Sequence, residues 1–269
     1  MNGRIIVFSI LSIFLLGIVS CKSEYEAIRT SGDAQKIVTK AHDYFEKGDY
    51  FRAQTLYELV VNSVKGTAAA EQIYYNYAQT HFQLKNYILS AYYFKTFSQT
   101  FPNSGLREEA DFMQAFNNYK ISPSFRLDQE STKKAIQQFQ LFANTYPTSP
   151  RLKDANSFID QLRVKLEEKA FDQAFLYYNL KQYQSATHSF ENLIRDFPDS
   201  KDIERVRFLK AKAAYLLAEN SVYTKQEERY EKAKEFGDNF VKKYDNSKYL
   251  KEVRNIIKDS SKKINNFSK

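Results

Sequence analysis

Apolar residues recur along this chain at helical spacing, and one stretch states the rule most clearly. In Lys181–Ser200, KQYQSATHSFENLIRDFPDS, Tyr183 is followed by Ala186, Phe190 and Phe197. Offsets of three, four and seven residues place all four on one face of an α-helix. The small Ala186 lets a neighbouring helix come close, and the aromatics fill the space around it. Pro198 cannot continue the helix, so Pro-Asp-Ser marks a turn.

The same ruler fits four more places. Tyr50, Ala53, Tyr57 and Val64 match it, as do Tyr87, Ser90, Phe94 and Phe101. Thr132, Ala135, Phe139 and Tyr146 match again, and Tyr230, Ala233, Gly237 and Tyr244 match more loosely. Four of the five stretches end in FPNS, YPTS, FPDS or YDNS. Self-similarity on this scale predicts a helical solenoid, in which each helix pair buries its apolar face only against its neighbours.

The pattern predicts an all-α fold of five helix pairs and a closing helix. The first pair is Ala34–Glu46, a Lys47-Gly48-Asp49 turn, and Tyr50–Val64. The second is Ala70–Leu84, a Lys85-Asn86 turn, and Tyr87–Phe101. Both follow the 34-residue tetratricopeptide plan. Later intervals stretch, and the excess has an address. Ile121–Glu130 interrupts the third pair, where Pro123 forces a break. Arg151–Leu180 lengthens the first helix of the fourth, and Asn220–Gln226 separates the helices of the fifth. The repeats fall near 34–65, 70–104, 105–149, 150–200 and 201–247. A cap over 248–267 carries Leu250, Val253, Ile257, Ser260, Ile264 and Phe267 on one face, as a solenoid end requires.

The N-terminus changes the picture from fold to address. Arg4 precedes an apolar run, Ile5–Val19, too short to span a membrane comfortably, so residues 1–20 read as a signal peptide. Cys21 is the one cysteine of the chain and follows small Ser20, with Ile18 three before it. This resembles a bacterial lipobox, whose cysteine is lipidated; the bland alternative is plain secretion with a cysteine nearby. Acylated, Cys21 leaves no thiol for disulfide or cysteine chemistry. Residues 21–33 lack an apolar period and read as a short flexible leash, which holds the solenoid close to its membrane.

Composition excludes several function classes. With 27% charged residues the chain is not a membrane bundle, and 16% aromatics with no Trp and seven Gly suit a Tyr/Phe-packed helical core. There is no Gly-rich phosphate loop, no His-Glu-x-x-His and no cysteine cluster, so neither a metal nor a cofactor is expected. Of the three histidines, His81 falls at a core position, His42 on the concave side of the first repeat and His188 outward. No stretch remains for a catalytic fold, and the chain reads as a non-enzyme.

What remains is surface. Between Tyr44 and Phe101 stand 15 aromatics in 58 residues. The core uses many of them. The repeat plan puts Val38, His42 and Phe45, then Tyr75, Gln79 and Phe82, along a concave groove suited to a peptide with aromatic residues of its own. The competing reading packs them on the leash or on extra helices. Lys242–Lys269 holds nine basic and three acidic residues. That points to an acidic partner, a phosphate-bearing surface or a soluble cap. Nucleic acid does not suit an exported lipoprotein.

A lipobox cysteine, a short leash, the Gly48-Asp49-Tyr50-x-x-Ala53 turn and stretched later repeats with Pro-Asx/Thr-Ser terminators together resemble the BamD family of outer-membrane assembly lipoproteins. The resemblance runs from Cys21 to about Phe267, with departures at Gly237 and Asp245. It implies a lipid-anchored scaffold subunit on the periplasmic side of the outer membrane. Such a subunit docks on the POTRA domains of the BamA-like barrel insertase and helps recruit unfolded β-barrel substrates, alongside other lipoproteins of the complex. The runner-up is another periplasmic tetratricopeptide lipoprotein coordinating cell-wall synthesis and envelope constriction. Such proteins carry a coiled coil before the repeats, and no heptad stretch precedes Ala34.

Overall fold

A computed structural model describes residues 23–267. Twelve helices form among them: α1 (Glu24–Arg29), α2 (Ala34–Glu46), α3 (Tyr50–Val60), α4 (Ala70–Gln83), α5 (Tyr87–Thr100), α6 (Arg107–Ile121), α7 (Glu130–Thr145), α8 (Leu152–Asn179), α9 (Tyr183–Asp196), α10 (Ile203–Glu219), α11 (Tyr223–Lys243) and α12 (Leu250–Phe267). The chain is all-α, and consecutive helices pack in pairs as a tetratricopeptide-like solenoid requires. It divides into two compact units, one ending at Ile121 and the other beginning at Ser122.

The small position of the ruler is wholly buried in every second helix. Ala53, Ser90, Ala135, Ala186 and Ala233 expose nothing to solvent. The Ser90 hydroxyl donates to the Ala78 carbonyl of α4 at 3.1 Å, which shows how closely the paired helices approach. Tyr57, Phe94, Phe139 and Phe190, four residues further on, are equally buried.

Three pairs turn the same way between their helices. Gly48, Lys85 and Lys181 take the left-handed conformation, with φ of 75°, 61° and 58°. In each turn two backbone N–H groups reach back over the helix end. Asp49 bonds Tyr44 O, Asn86 bonds His81 O and Gln182 bonds Tyr177 O, each at 2.8–2.9 Å. The left-handed residues themselves bond Phe45, Phe82 and Tyr178 O. This is the Schellman arrangement, and it satisfies carbonyls that the helix end leaves open. Glycine serves the first turn; lysine takes the conformation in the other two at some steric cost.

The terminators close each pair onto the one before. Phe101, Tyr146 and Phe197 leave the helix at φ of −122° to −133° and ψ of 63–65° ahead of proline, which disfavours helix at those positions. The serine that ends each motif then accepts the N–H two residues on: Ser104 from Leu106, Ser149 from Arg151, Ser200 from Asp202, Ser247 from Tyr249, all at 3.0–3.1 Å. Three of these hydroxyls also donate to a carboxylate on an earlier helix: Ser104 to Glu71, Ser200 to Glu167 and Ser247 to Glu204, each at 2.5 Å. One side chain thus starts a helix and clasps the preceding pair.

Some boundaries differ from expectation. Helix α3 stops at Val60 rather than Val64, because Ser63 and Thr67 hydroxyls bond the Val60 and Val64 carbonyls and Gly66 turns left-handed at φ 81°. Helix α11 begins at Tyr223, inside the stretch expected to separate the fifth pair. The segment read as a leash contains α1. Ser23 caps it at Glu26 N, Glu24 pairs with Lys40 Nζ at 2.7 Å, and Tyr25 meets Tyr44 edge-on at 5.9 Å. The signal peptide and Cys21 lie outside the described residues.

The loose fifth copy of the ruler has a packing reason. A Cβ on Gly237 would stand 2.7 Å from Ile257 Cγ1 and 3.5 Å from Val253 Cγ1 of α12. The closing helix occupies the space that an aromatic fills in the other pairs. Gly237→Ala should therefore destabilise the protein by about 1–3 kcal/mol despite the better helix propensity of alanine. Gly237→Phe should strip α12 from α11. Thermal melting with hydrogen exchange over α12 checks both; unchanged protection of α12 in Gly237→Phe would show that this contact does not hold the cap.

Candidate functional site

The six residues expected to line a groove all lie on the first helices of the first two repeats, and the structure sorts them. Val38 is 7% exposed beside buried Ile37 and Ala41. It is a core residue, and the expectation that it faces an open groove is corrected. The other five are half-buried.

None of the five projects alone. Phe45 meets Tyr50 at 5.7 Å and Tyr57 at 6.5 Å, both edge-on. Tyr75 meets Phe94 and Phe97 at 5.6 and 5.5 Å, and Gln79 Nε2 donates to its hydroxyl at 3.3 Å. Phe82 lies 5.8 Å from Tyr87 and 5.9 Å from Phe116 of α6. Phe45, Tyr75 and Phe82 each keep a half-buried outer surface on a ring held by its neighbours, with the Gln79 amide beside Tyr75. Rings already held by neighbours lose little conformational freedom on binding a ligand.

His42 is tied into a polar network that sequence reasoning missed. Its Nδ1 lies 2.8 Å from the Tyr57 hydroxyl and 3.1 Å from Asn76 Nδ2. Asn76 Nδ2 also donates to Tyr57 Oη at 3.2 Å, and Gln72 Nε2 donates to Asn76 Oδ1 at 2.7 Å. A neutral ring with Nδ1 as acceptor satisfies all of these. Burial lowers the His42 pKa, with a smaller opposing effect of Glu46, and raises that of Tyr57. The network joins α2, α3 and α4 through residues 15 and 34 apart. No local signal in the sequence marks it.

His81 is at the core position expected of it. It stacks on Tyr93 at 5.0 Å and meets Tyr77 edge-on at 4.8 Å. Neither ring nitrogen has a hydrogen-bond partner among the described residues. Burial pushes its pKa down to about 4.

A second concavity lies in the other unit, between α9 and α11 over α10. One cavity of about 580 Å³ is lined by Thr187, His188, Glu191, Ala214, Arg229 and Phe236. Another of about 550 Å³ shares Glu191, Glu235 and Phe236 with it. Lys210 Nζ bonds Glu191 at 3.0 Å and stands 3.8 Å over the Phe236 ring. The walls come from three helices, and only His188 among these residues was marked as outward by the repeat plan. Among the described residues no three His, Cys, Asp or Glu side chains gather as a metal site would need.

Comparison with known proteins follows the repeat array rather than either surface alone. A protein family described as outer membrane lipoprotein (YfiO) matches residues 30–174 and 164–266. The outer membrane protein assembly factor BamD of Pasteurella multocida (strain Pm70) is 19% identical over 204 residues, covering 72% of this chain and 78% of the relative. The putative outer membrane protein assembly factor BamD of Aquifex aeolicus (strain VF5) is 24% identical over 232 residues, covering 84% and 73%.

Buried His81 and half-buried His42 make stability depend on pH in a definite direction. Both have folded pKa values below the ordinary 6.5. The unfolded chain therefore takes up protons first, and the stability these rings contribute is complete above pH 6.5 and lost as pH falls from there toward 4. The melting temperature should drop between pH 6.5 and 5, above the range where carboxylates titrate. His81→Phe combined with His42→Gln should flatten that drop. An unchanged slope would show that these rings are not buried neutral.

Proposed function

The chain belongs to the YfiO family of outer membrane lipoproteins, and on that premise we propose that it is an assembly factor for outer-membrane β-barrel proteins. It acts without catalysis, as a lipid-anchored periplasmic scaffold. The observation that carries this reading is the family match, which spans the repeat array from residue 30 to residue 266. The names of the two relatives supply the process.

Cys21 carries the lipid in this reading. The half-buried face of Phe45, Tyr75, Gln79 and Phe82 receives an extended segment of an unfolded barrel protein, whose aromatic side chains stack against rings already fixed in place. The barrel insertase docks through its POTRA domains on the C-terminal half, within 122–267. One feature there suits an acidic partner face: helix α12 exposes Lys251, Lys258, Lys262 and Lys263. Charge of this kind acts mainly on association rate and is screened by salt.

Affinity purification from detergent-solubilised envelope, with partners read by mass spectrometry, tests the assignment. The insertase should co-purify. Recovery of cell-wall synthesis proteins in its place would overturn the reading. Because Val253 and Ile256 of α12 are core residues, charge reversal tests the docking face better than truncation does. Lys251, Lys258, Lys262 and Lys263 changed together to Glu should release the insertase at ordinary salt while the fold survives. Retention by this folded variant would move the contact elsewhere.

The aromatic face makes a separate prediction. Phe45→Ala, Tyr75→Ala and Phe82→Ala should each weaken binding of barrel-derived C-terminal peptides by about 1–3 kcal/mol. Tyr77, buried at 3% exposure, is the control, and Tyr77→Ala should chiefly lower the melting temperature. Fluorescence titration alongside thermal melting separates the two effects; four variants that lose affinity only in proportion to stability would remove the face from the binding site.

A further inference from the structure

The repeat register lets equivalent surface positions be compared from pair to pair. One, two and five residues after the residue that begins the ruler in each second helix (Tyr50, Tyr87, Thr132, Tyr183 and Tyr230), the side chains point outward. In the third pair they are Lys133, Lys134 and Gln137; in the fourth, Gln184, Ser185 and His188; in the fifth, Glu231, Lys232 and Glu235. All nine are polar and exposed. The second pair places Ile88, Leu89 and Tyr92 there, and they remain 71%, 46% and 59% exposed. The first pair places Phe51 there, 70% exposed, beside Arg52 and Thr55. Helix α5 contains no acidic residue, and exposed Lys85 and Lys95 flank its apolar stretch. Folding does not require these side chains to be apolar, since three other pairs fold with polar ones.

Helix α1, which follows Cys21 in the chain, docks beside this face. Only Lys22 and Ser23 separate Cys21 from α1, a span of about 10 Å when extended. Helix α1 is held to the first unit by the Glu24–Lys40 ion pair and by Arg52, whose guanidinium stands 5.6 Å from the Tyr25 ring and 5.5 Å from the Tyr44 ring. Arg52 follows Phe51 directly, so the docked α1 and the apolar face meet at the N-terminal end of α3. Short turns make successive helices antiparallel, so α3 and α5 run the same way and Phe51 and Ile88 lie toward the same end of the unit.

We propose that Phe51, Ile88, Leu89 and Tyr92 rest in the headgroup region of the lipid surface to which Cys21 is anchored. The proposal rests on the reading of Cys21 as the lipidated residue. Aliphatic and aromatic side chains between lysines and arginines are the composition of an interfacial membrane contact. No described helix is long and apolar enough to cross a membrane, so the contact is peripheral. Its consequence is orientational: the lipid and the side chains together fix which way the first unit faces, where a lipid on a free tether would leave it to tumble.

The chain contains no tryptophan, so a single introduced one reports its own surroundings. Phe51→Trp and Tyr92→Trp, with His188→Trp as the equivalent polar position, are to be made in the acylated protein. Each is placed on phosphatidylethanolamine/phosphatidylglycerol vesicles whose acyl chains are brominated. The first two should show blue-shifted emission, quenching by the bromolipid and protection from iodide, while His188→Trp stays open to iodide. Equal behaviour of all three, in protein whose intact mass confirms acyl groups on Cys21, overturns the proposal. Protection of Tyr92→Trp by added insertase and not by plain vesicles overturns it too, and assigns the face to a protein. Should the mass show no acyl group, the anchoring reading itself fails. The face is then judged in the Cys21→Ser protein, where Ile88→Glu should weaken sedimentation with the same vesicles roughly tenfold. No change there counts against it.

Discussion

Paired helices in this chain approach closely because one position in every second helix carries almost no bulk. Ala53, Ser90, Ala135, Ala186 and Ala233 are wholly buried, and a large side chain at any of them would push the pair apart. Close approach creates flanking space, and aromatics one turn later fill it at native density. Gly237 follows the same logic in reverse. There the flanking space belongs to Ile257 and Val253 of the closing helix, so the side chain had to go. The array ends where a helix replaces an aromatic.

Polar chemistry then fixes how one pair follows the next. Left-handed turns at Gly48, Lys85 and Lys181 set the path within pairs. The terminal serines set it between pairs, by accepting an N–H at the start of one helix and donating to a carboxylate on an earlier one. Hydroxyl–carboxylate bonds at half-buried sites are stronger than neutral ones. They are directional as well, so they add geometry to what apolar burial supplies without direction.

The outward surface shows that equivalent positions are not under equivalent demands. Packing asks the same of every pair, and the buried positions comply. At the three outward positions compared, the third to fifth pairs carry polar side chains and the second pair and Phe51 apolar ones.

The sequence by itself determined the all-α class, the pairing of helices, the buried small and aromatic positions and the closing helix. Helical periodicity is local, and an offset of three or four residues has one structural meaning wherever it occurs. Proline at the terminators was legible for the same reason. Contacts between residues far apart in the chain were decided by the tertiary structure alone. The carboxylates that clasp Ser104, Ser200 and Ser247 stand 33, 33 and 43 residues away, with nothing local to mark them. The same holds for the bond of His42 to Asn76 and for the docking of Tyr25 on Tyr44. Within the candidate face, the repeat plan named six residues, and the structure leaves five of them half-buried. The plan could not tell that Val38 falls inward or that His42 is spent on Tyr57, because a helix face is about 100° wide and its edge is settled by the neighbour that covers it.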